Sequence, residues 1–202
     1  QRQAELVIVS DMANPSSDRD LHERQCLDAI QKYLLRTDGH AFVLFTSYRF
    51  LIRAERELRP WMTQQDFGIF SQASGQPRGQ LLDAFKSRPR SVLFGTASFW
   101  QGVDVQGDAL QNVIITRLPF SVPDQPLLQA RLDAIRDAGG NPFAEYQIPE
   151  AVIKFKQGFG RLIRSQSDTG IVVVLDPRIR TKPYGRTFIA SLPKCKIVEE
   201  SL

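Results

Sequence analysis

Gln157, Arg161 and Arg164, in the stretch Gln157-Gly158-Phe159-Gly160-Arg161-Leu162-Ile163-Arg164, are the residues whose types and spacing most directly suggest chemistry. Read as part of a helix over 149–165, they fall at i, i+4 and i+7 and share one face. An arginine guanidinium is permanently charged, and its planar fork matches phosphate oxygens, so two converging arginines make a clamp for terminal phosphates. Where a phosphoryl group is transferred, such an arginine stabilises the charge that builds up in the transition state. A solvated basic face has the same spacing, and the rest of the chain has to decide between the two readings.

Two further groups could touch the same kind of ligand. The run from Gly95 to Gly107, Gly-Thr-Ala-Ser-Phe-Trp-Gln-Gly-Val-Asp-Val-Gln-Gly, follows a strand-like segment. Its glycines, Gly102 among them, let backbone approach a ligand, its small hydroxyls can bond phosphate or sugar, and Asp104 can accept from a ribose hydroxyl. A tight strand-to-helix connection with Trp100 in the core reads equally well from that run alone. Phe45-Thr46-Ser47-Tyr48 ends another strand-like segment and opens a helix bearing Arg49, Arg53 and Arg56. Unpaired N–H groups at a helix start favour an anion, although Ser47 also suits a plain N-cap and the arginines suit pairing with Glu55 and Glu57.

What is missing from the sequence narrows the chemistry. No G-x-x-x-x-G-K-[ST] cradle occurs, and no Asp-Glu pair offers a magnesium ligand beside a water-positioning base, so the chain holds no complete nucleotide-hydrolysing site of that type. Gly158-Phe159-Gly160 does not open a dinucleotide fingerprint: Ile163 stands where the third glycine is required, and Pro149 to Lys156 reads as helix rather than strand.

These residues need elements to position them. Five short runs, Leu6–Val9, Ala41–Phe45, Ser91–Gly95, Asn112–Thr116 and Gly170–Leu175, are apolar nearly throughout, as strands covered on both faces of a parallel sheet are. Helical patterns alternate with them over Arg19–Leu35, capped by Asp18 or Ser17, over Tyr48–Trp61 with Pro60 near its end, and over Pro123–Ala138, closed by Gly139-Gly140. A further helix opened by Pro149 bears the arginine pair. The alternation predicts an α/β fold, with ligands taken where strands give way to loops. Gln72 to Gln80, rich in Gln, Ser and Gly, is the expected mobile loop.

At 202 residues, 42% hydrophobic and 24% charged, the chain suits one soluble domain. Its net charge of +4 is unevenly spread: Ala151 to Lys196 contains ten Lys or Arg against two Asp, a local +8 that leaves −4 elsewhere. A polyanion is the partner such a segment fits. Cys26 and Cys195, with His22 and His40, cannot assemble a zinc or iron–sulfur site by themselves, and no signal segment or membrane-length apolar run appears. A cytoplasmic location is expected, and Gln1 as the first residue leads to the expectation of a fragment.

Together the motifs resemble the second motor lobe of a superfamily two helicase, in the DinG branch of the XPD-like DNA helicases. Gly95 to Gly107 is similar to the branch's motif V, G-T-x-S-F-W-E-G-V-D, Gln157 to Arg164 to its motif VI, Q-x-x-G-R-x-I-R, and Val43 to Tyr48, with Leu-Phe-Thr-Ser-Tyr within it, to motif IV. Leu118-Pro119-Phe120 with Pro123 and Pro126 resembles the connector between them. The resemblance implies a RecA-like, P-loop NTPase-type lobe over 1–202, with a mainly parallel sheet flanked by helices and no Walker A of its own. It implies that Arg164 is an arginine finger at the ATP γ-phosphate, with Arg161 and Gln157 at the phosphates and Gly102 and Asp104 at the nucleotide. Thr46, Ser47 and Thr96 would contact single-stranded DNA, and Tyr48, Phe99 and Trp100 would either stack on bases or pack. ATP and Mg²⁺ would be shared with the N-terminal motor lobe of the same polypeptide, and the lobe alone would hydrolyse nothing. An iron–sulfur cluster or an exonuclease domain, carried by some relatives, would belong to the parent protein and not to this stretch. Gln101 departs from the branch, which has glutamate there. The residues themselves also leave open a non-catalytic nucleic-acid-binding module and an RNA helicase lobe.

Overall fold

The computed structural model describes residues 4–96, 99, 105, 109–122, 126–162 and 169–202. Along the chain run β1 (Glu5–Val9), α1 (Arg19–Arg36), β2 (Ala41–Phe45), α2 (Tyr48–Gln64), β3 (Gly68–Ser71), α3 (Arg78–Ser87), β4 (Ser91–Thr96) and β5 (Asn112–Ile115). There follow α4 (Pro126–Asp137), α5 (Ile148–Phe159), β6 (Ile171–Val174), α6 (Arg178–Thr181), α7 (Gly185–Ala190) and β7 (Lys196–Glu200). A one-turn 3₁₀ helix, Gln72–Ser74, follows β3, and a π-type turn, Phe143–Gln147, leads into α5.

Among the described residues seven strands form one sheet in the order β3-β4-β2-β5-β6-β1-β7, and every neighbouring pair is parallel. Because side chains alternate between faces along a strand, each strand feeds two cores. Val7, Val43, Phe45, Phe94, Ile114 and Val173 meet α1 and α2, through residues such as Ile30, Tyr33, Phe50 and Leu58. Leu6, Ile8, Phe42, Leu44, Leu93, Val113 and Val172 meet the opposite layer, where Phe85, Phe155, Phe159 and Phe188 pack. Burial on both faces is the reason the central strands read as unbroken apolar runs.

The helices begin where side chains can cap them. Asp18 accepts from the Leu21 N–H at 3.0 Å and so caps α1, and Ser47 accepts from the Phe50 N–H at 3.3 Å and caps α2. α2 does not stop after Pro60 but continues to Gln64. Gln72 to Gln80 is not a plain loop. It holds the 3₁₀ turn, closed by Gly75 at φ +73°, and the first residues of α3.

The helix carrying the arginine motif ends earlier than its periodicity suggests. α5 stops at Phe159, and Arg161 and Leu162 lie in a turn. The Arg161 N–H bonds the Gly158 carbonyl at 3.2 Å and the Leu162 N–H bonds the Phe159 carbonyl at 3.1 Å, so the chain tightens from i−4 to i−3 bonding. Two glycines in three residues weaken the helix there, and burial of Leu162 draws the turn inward. Gln157 and Arg161 therefore do not share a regular helical face.

Candidate functional site

In an all-parallel sheet every strand ends on the same edge, and the loops leaving that edge define one rim. Thr46 and Ser47 leave β2, Thr96 ends β4, Thr116 and Arg117 leave β5, and Leu175 and Asp176 leave β6. Thr46 is half-buried and lines a pocket of about 450 Å³ shared with Pro119, Phe120, Ser121, Val122, Tyr146, Glu150 and Lys154. Ser47 is half-buried as well. Its oxygen already accepts from the Phe50 N–H, but its hydroxyl proton is available to a phosphate at the positive end of α2. No acidic residue stands in the first turn of α2 to oppose an anion there.

Thr96 is committed to the protein in part. Its N–H and its hydroxyl both donate to Gln72 Oε1, at 2.8 and 2.9 Å. The segment expected to be a mobile loop thus supplies the side chain that fixes the end of β4. Gly95, one residue earlier, is a packing glycine: a Cβ there would come within 3.0 Å of the Phe42 ring and 3.1 Å of Phe99. Phe99 packs rather than stacks on a ligand. It is buried, lies edge-on to Phe42 at 6.2 Å, and has the Arg78 guanidinium 5.0 Å over its ring. Tyr48 is exposed at the start of α2. Trp100, Gln101, Gly102 and Asp104 lie outside the described residues.

Gln157 and Arg161 lie at the other edge. Leu162 packs beneath Gly170, the residue before β6: a Cβ on Gly170 would sit 2.6 Å from the Gln111 carbonyl and 3.0 Å from the Leu162 methyls. Since Gln111 and Gly170 immediately precede β5 and β6, Leu162 and its neighbour Arg161 belong to the amino edge of the sheet. Gln157 is exposed on the last turn of α5, and Arg161 is half-buried. Arg164 lies outside the described residues. The structure therefore groups Thr46, Ser47 and Thr96 on one rim and Gln157 and Arg161 on the opposite one, about a strand's length of 15 Å away.

A buried ionic latch at the carboxyl edge escaped the sequence reading. Asp176 is fully buried. It accepts from the Leu118 N–H at 2.8 Å, from the Arg178 backbone at 3.0 Å and from the Arg178 guanidinium at 2.6 to 3.2 Å. Burial opposes the charge of Arg178, but the hydrogen bonds and charge of Asp176 outweigh it and raise the arginine's pKa. The latch ties the connector Leu118-Pro119-Phe120 to the end of β6, and Arg178 also lies 5.6 Å over the Phe120 ring. An Asp-Pro-Arg step directly after an apolar strand is the signal that could have revealed it.

Neighbouring α1 and α2 carry a second charged cluster. Glu23, almost fully buried, receives Arg19 at 2.8 Å, Arg53 at 3.0 Å and Arg49 at 3.9 Å. Arg53 also meets Glu57 at 2.9 Å, as its spacing on the helix suggests. Among the described residues no group of three or more His, Cys, Asp or Glu is arranged to hold a metal ion, and no helix is long and apolar enough to cross a membrane.

The architecture is that of a RecA-like helicase lobe. A solved structure named XPD helicase matches with a TM-score of 0.72 over 98% of this chain and 36% of that one, at 16% identity, a likeness that defines the fold. The chain belongs to the helicase C-terminal domain family, whose model matches residues 30–195. It is 42% identical over 192 residues to the ATP-dependent DNA helicase YoaA of Escherichia coli K12, covering 95% of this chain and 29% of that protein. It is 43% identical over 158 residues to a Bacillus subtilis 168 protein named 3'-5' exonuclease DinG, covering 78% of this chain and 17% of that protein. The chain thus spans less than a third of the length of these relatives.

Proposed function

We propose that the chain is the second motor lobe of an ATP-dependent DNA helicase, working with an N-terminal lobe of the same polypeptide. The observation that carries this reading is the family match across residues 30–195 of a chain that keeps the two-arginine motif and has no phosphate cradle. ATP and Mg²⁺ are held mainly by the other lobe. Arg164 and Arg161, with Gln157, close on the phosphates from this side, and Gly102 and Asp104 reach the nucleotide. Positive charge delivered late in the reaction lowers the barrier more than it tightens ground-state binding.

Single-stranded DNA runs along the carboxyl edge, where Thr46, Ser47 and Thr96 meet its backbone. Placement of Gln157 and Arg161 at one edge of the sheet and of Thr46, Ser47 and Thr96 at the other supports coupling. A shift of this lobe toward ATP moves the DNA grip as one body, because the sheet and its two cores link the edges. ATP binding draws the lobes together, hydrolysis releases them, and alternating grip advances the strand.

The test is Arg164→Ala in the full-length protein. DNA-stimulated ATP hydrolysis is expected to fall about a thousandfold or more, the scale on which arginine fingers act, while ATP affinity changes far less. Near-normal turnover in the variant overturns the assignment.

A further inference from the structure

Arg117 has no role in the reading above. It follows β5 at the carboxyl edge, two residues beyond Ile115, and Thr46 lies two residues beyond Leu44, the partner of Ile115 on the neighbouring strand. Adjacent strands lie about 5 Å apart, so the two side chains start from adjoining positions on the rim.

The guanidinium is half-buried, yet among the described residues no carboxylate lies within ion-pair distance of it. Among the described residues its one hydrogen bond is long, 3.4 Å to the Pro15 carbonyl in the loop before α1. The carboxylates nearby are already engaged: Asp176 is saturated by Arg178 and the Leu118 N–H, and Glu23 is shared by Arg19, Arg49 and Arg53. Five arginines thus surround two buried acids. Burial, followed by repulsion from Arg178, depresses the pKa of Arg117, although an arginine stays charged regardless. Asp176 and Glu23 attract Arg117 only from beyond ion-pair contact; a half-buried cation without a direct ion pair is costly, and the cost falls when an anion docks beside it.

We propose that Arg117 is a phosphate seat for the single strand: its fork takes the non-bridging oxygens of one phosphodiester, beside Thr46 and Ser47, with Arg19 and Arg178 adding positive potential from either side. Glu23 and Asp176 act as positioning residues, since they hold the flanking arginines in place while leaving Arg117 uncommitted. The seat rests on the helicase reading for the identity of its ligand. The shared chemistry is a phosphate, and a nucleotide phosphate is the other source that could supply it.

The experiment compares wild-type full-length protein with Arg117→Gln and Arg117→Lys. It measures affinity for oligothymidylate across a salt series and affinity for ATP without DNA. Arg117→Gln is expected to weaken oligothymidylate binding about tenfold and to flatten the log–log salt slope by about 0.7, the value for one lost contact to a single strand. ATP affinity is expected to be unchanged. Arg117→Lys keeps the charge but loses the fork, so the slope stays near wild type while affinity drops, and this variant preserves the test if the glutamine form folds poorly. Unchanged DNA affinity and slope in folded variants overturn the seat, and a loss confined to ATP overturns the single strand as its ligand. A wild-type protein that ignores oligothymidylate overturns the helicase reading and the seat together, which separates that failure from a failure of Arg117 alone.

Discussion

His22 illustrates how a single buried group ties stability to pH. Its ring is fully enclosed between α1 and the end of β6, where Nε2 donates to the Leu175 carbonyl at 2.9 Å and the Cys26 sulfur lies 3.7 Å away. Burial is the main cause that lowers its pKa, with Arg117 and Arg178 adding to the effect, while the Leu175 carbonyl and Asp176 pull the other way. The sign of the linkage follows. Between the folded value and the ordinary 6.5, the unfolded chain binds a proton that the folded chain does not. Stability is therefore fully present above pH 6.5 and declines as the pH falls toward the folded value, by at most about 1.4 kcal/mol per pH unit from this group. Urea denaturation between pH 5 and 7.5 is expected to show that decline in wild type and a flatter profile in His22→Gln. An equal slope in both would assign the pH dependence elsewhere. His22 attracted attention in the sequence only as a scarce metal ligand, because its role depends on Leu175, 153 residues away.

At the scale of elements, the central strands were legible and the sheet edges were not. β2, β4, β5 and β6 carry unbroken apolar runs because helices cover both faces, and their limits match the sequence reading within one residue. β3 is only four residues long, and β7, Lys-Ile-Val-Glu-Glu, is charged at both ends along an edge. Such strands lack the pattern that reveals their neighbours, since edge positions favour short segments and charge. The early end of α5 was hidden for a different reason: the turn after Phe159 keeps an apolar residue, Leu162, where helical spacing would also put one. α6 and α7 were missed because they are short and their constraint is tertiary. An added Cβ on Gly185 would fall 2.0 Å from the Ile179 carbonyl oxygen and 2.5 Å from its carbon, both backbone atoms that cannot rotate away. Gly185→Ala is therefore expected to destabilise the fold by about 1–3 kcal/mol, as overpacking does. Because Ile179 adjoins Arg178, the shift should also loosen the Asp176 latch. A urea midpoint equal to wild type would show that the two short helices can part without cost.

For the whole molecule, the question is whether the phosphate-binding chemistry is split between two bodies. The proposal of a phosphate ligand rests on features visible in the sequence, the arginine motif, the +8 segment and the missing cradle, whereas the separation of Thr46, Ser47 and Thr96 from Gln157 and Arg161 was not legible, because it depends on strand direction. Both cores of the lobe close within this chain, so a separately produced first lobe can be mixed with it as a second folded body. If ATP bridges the two, its phosphates bring their negative charge to the arginines of this lobe only when the lobes meet. The free energy of that contact then appears as ATP-dependent association. Sedimentation of the mixture is expected to show at least tenfold tighter association with a non-hydrolysable ATP analogue than without nucleotide, corresponding to about 1.4 kcal/mol. Arg164→Ala should remove most of the difference, since a nucleotide shifts the equilibrium only by what it contacts in the closed state. Association indifferent to nucleotide would favour a basic platform that binds nucleic acid without taking part in the motor cycle.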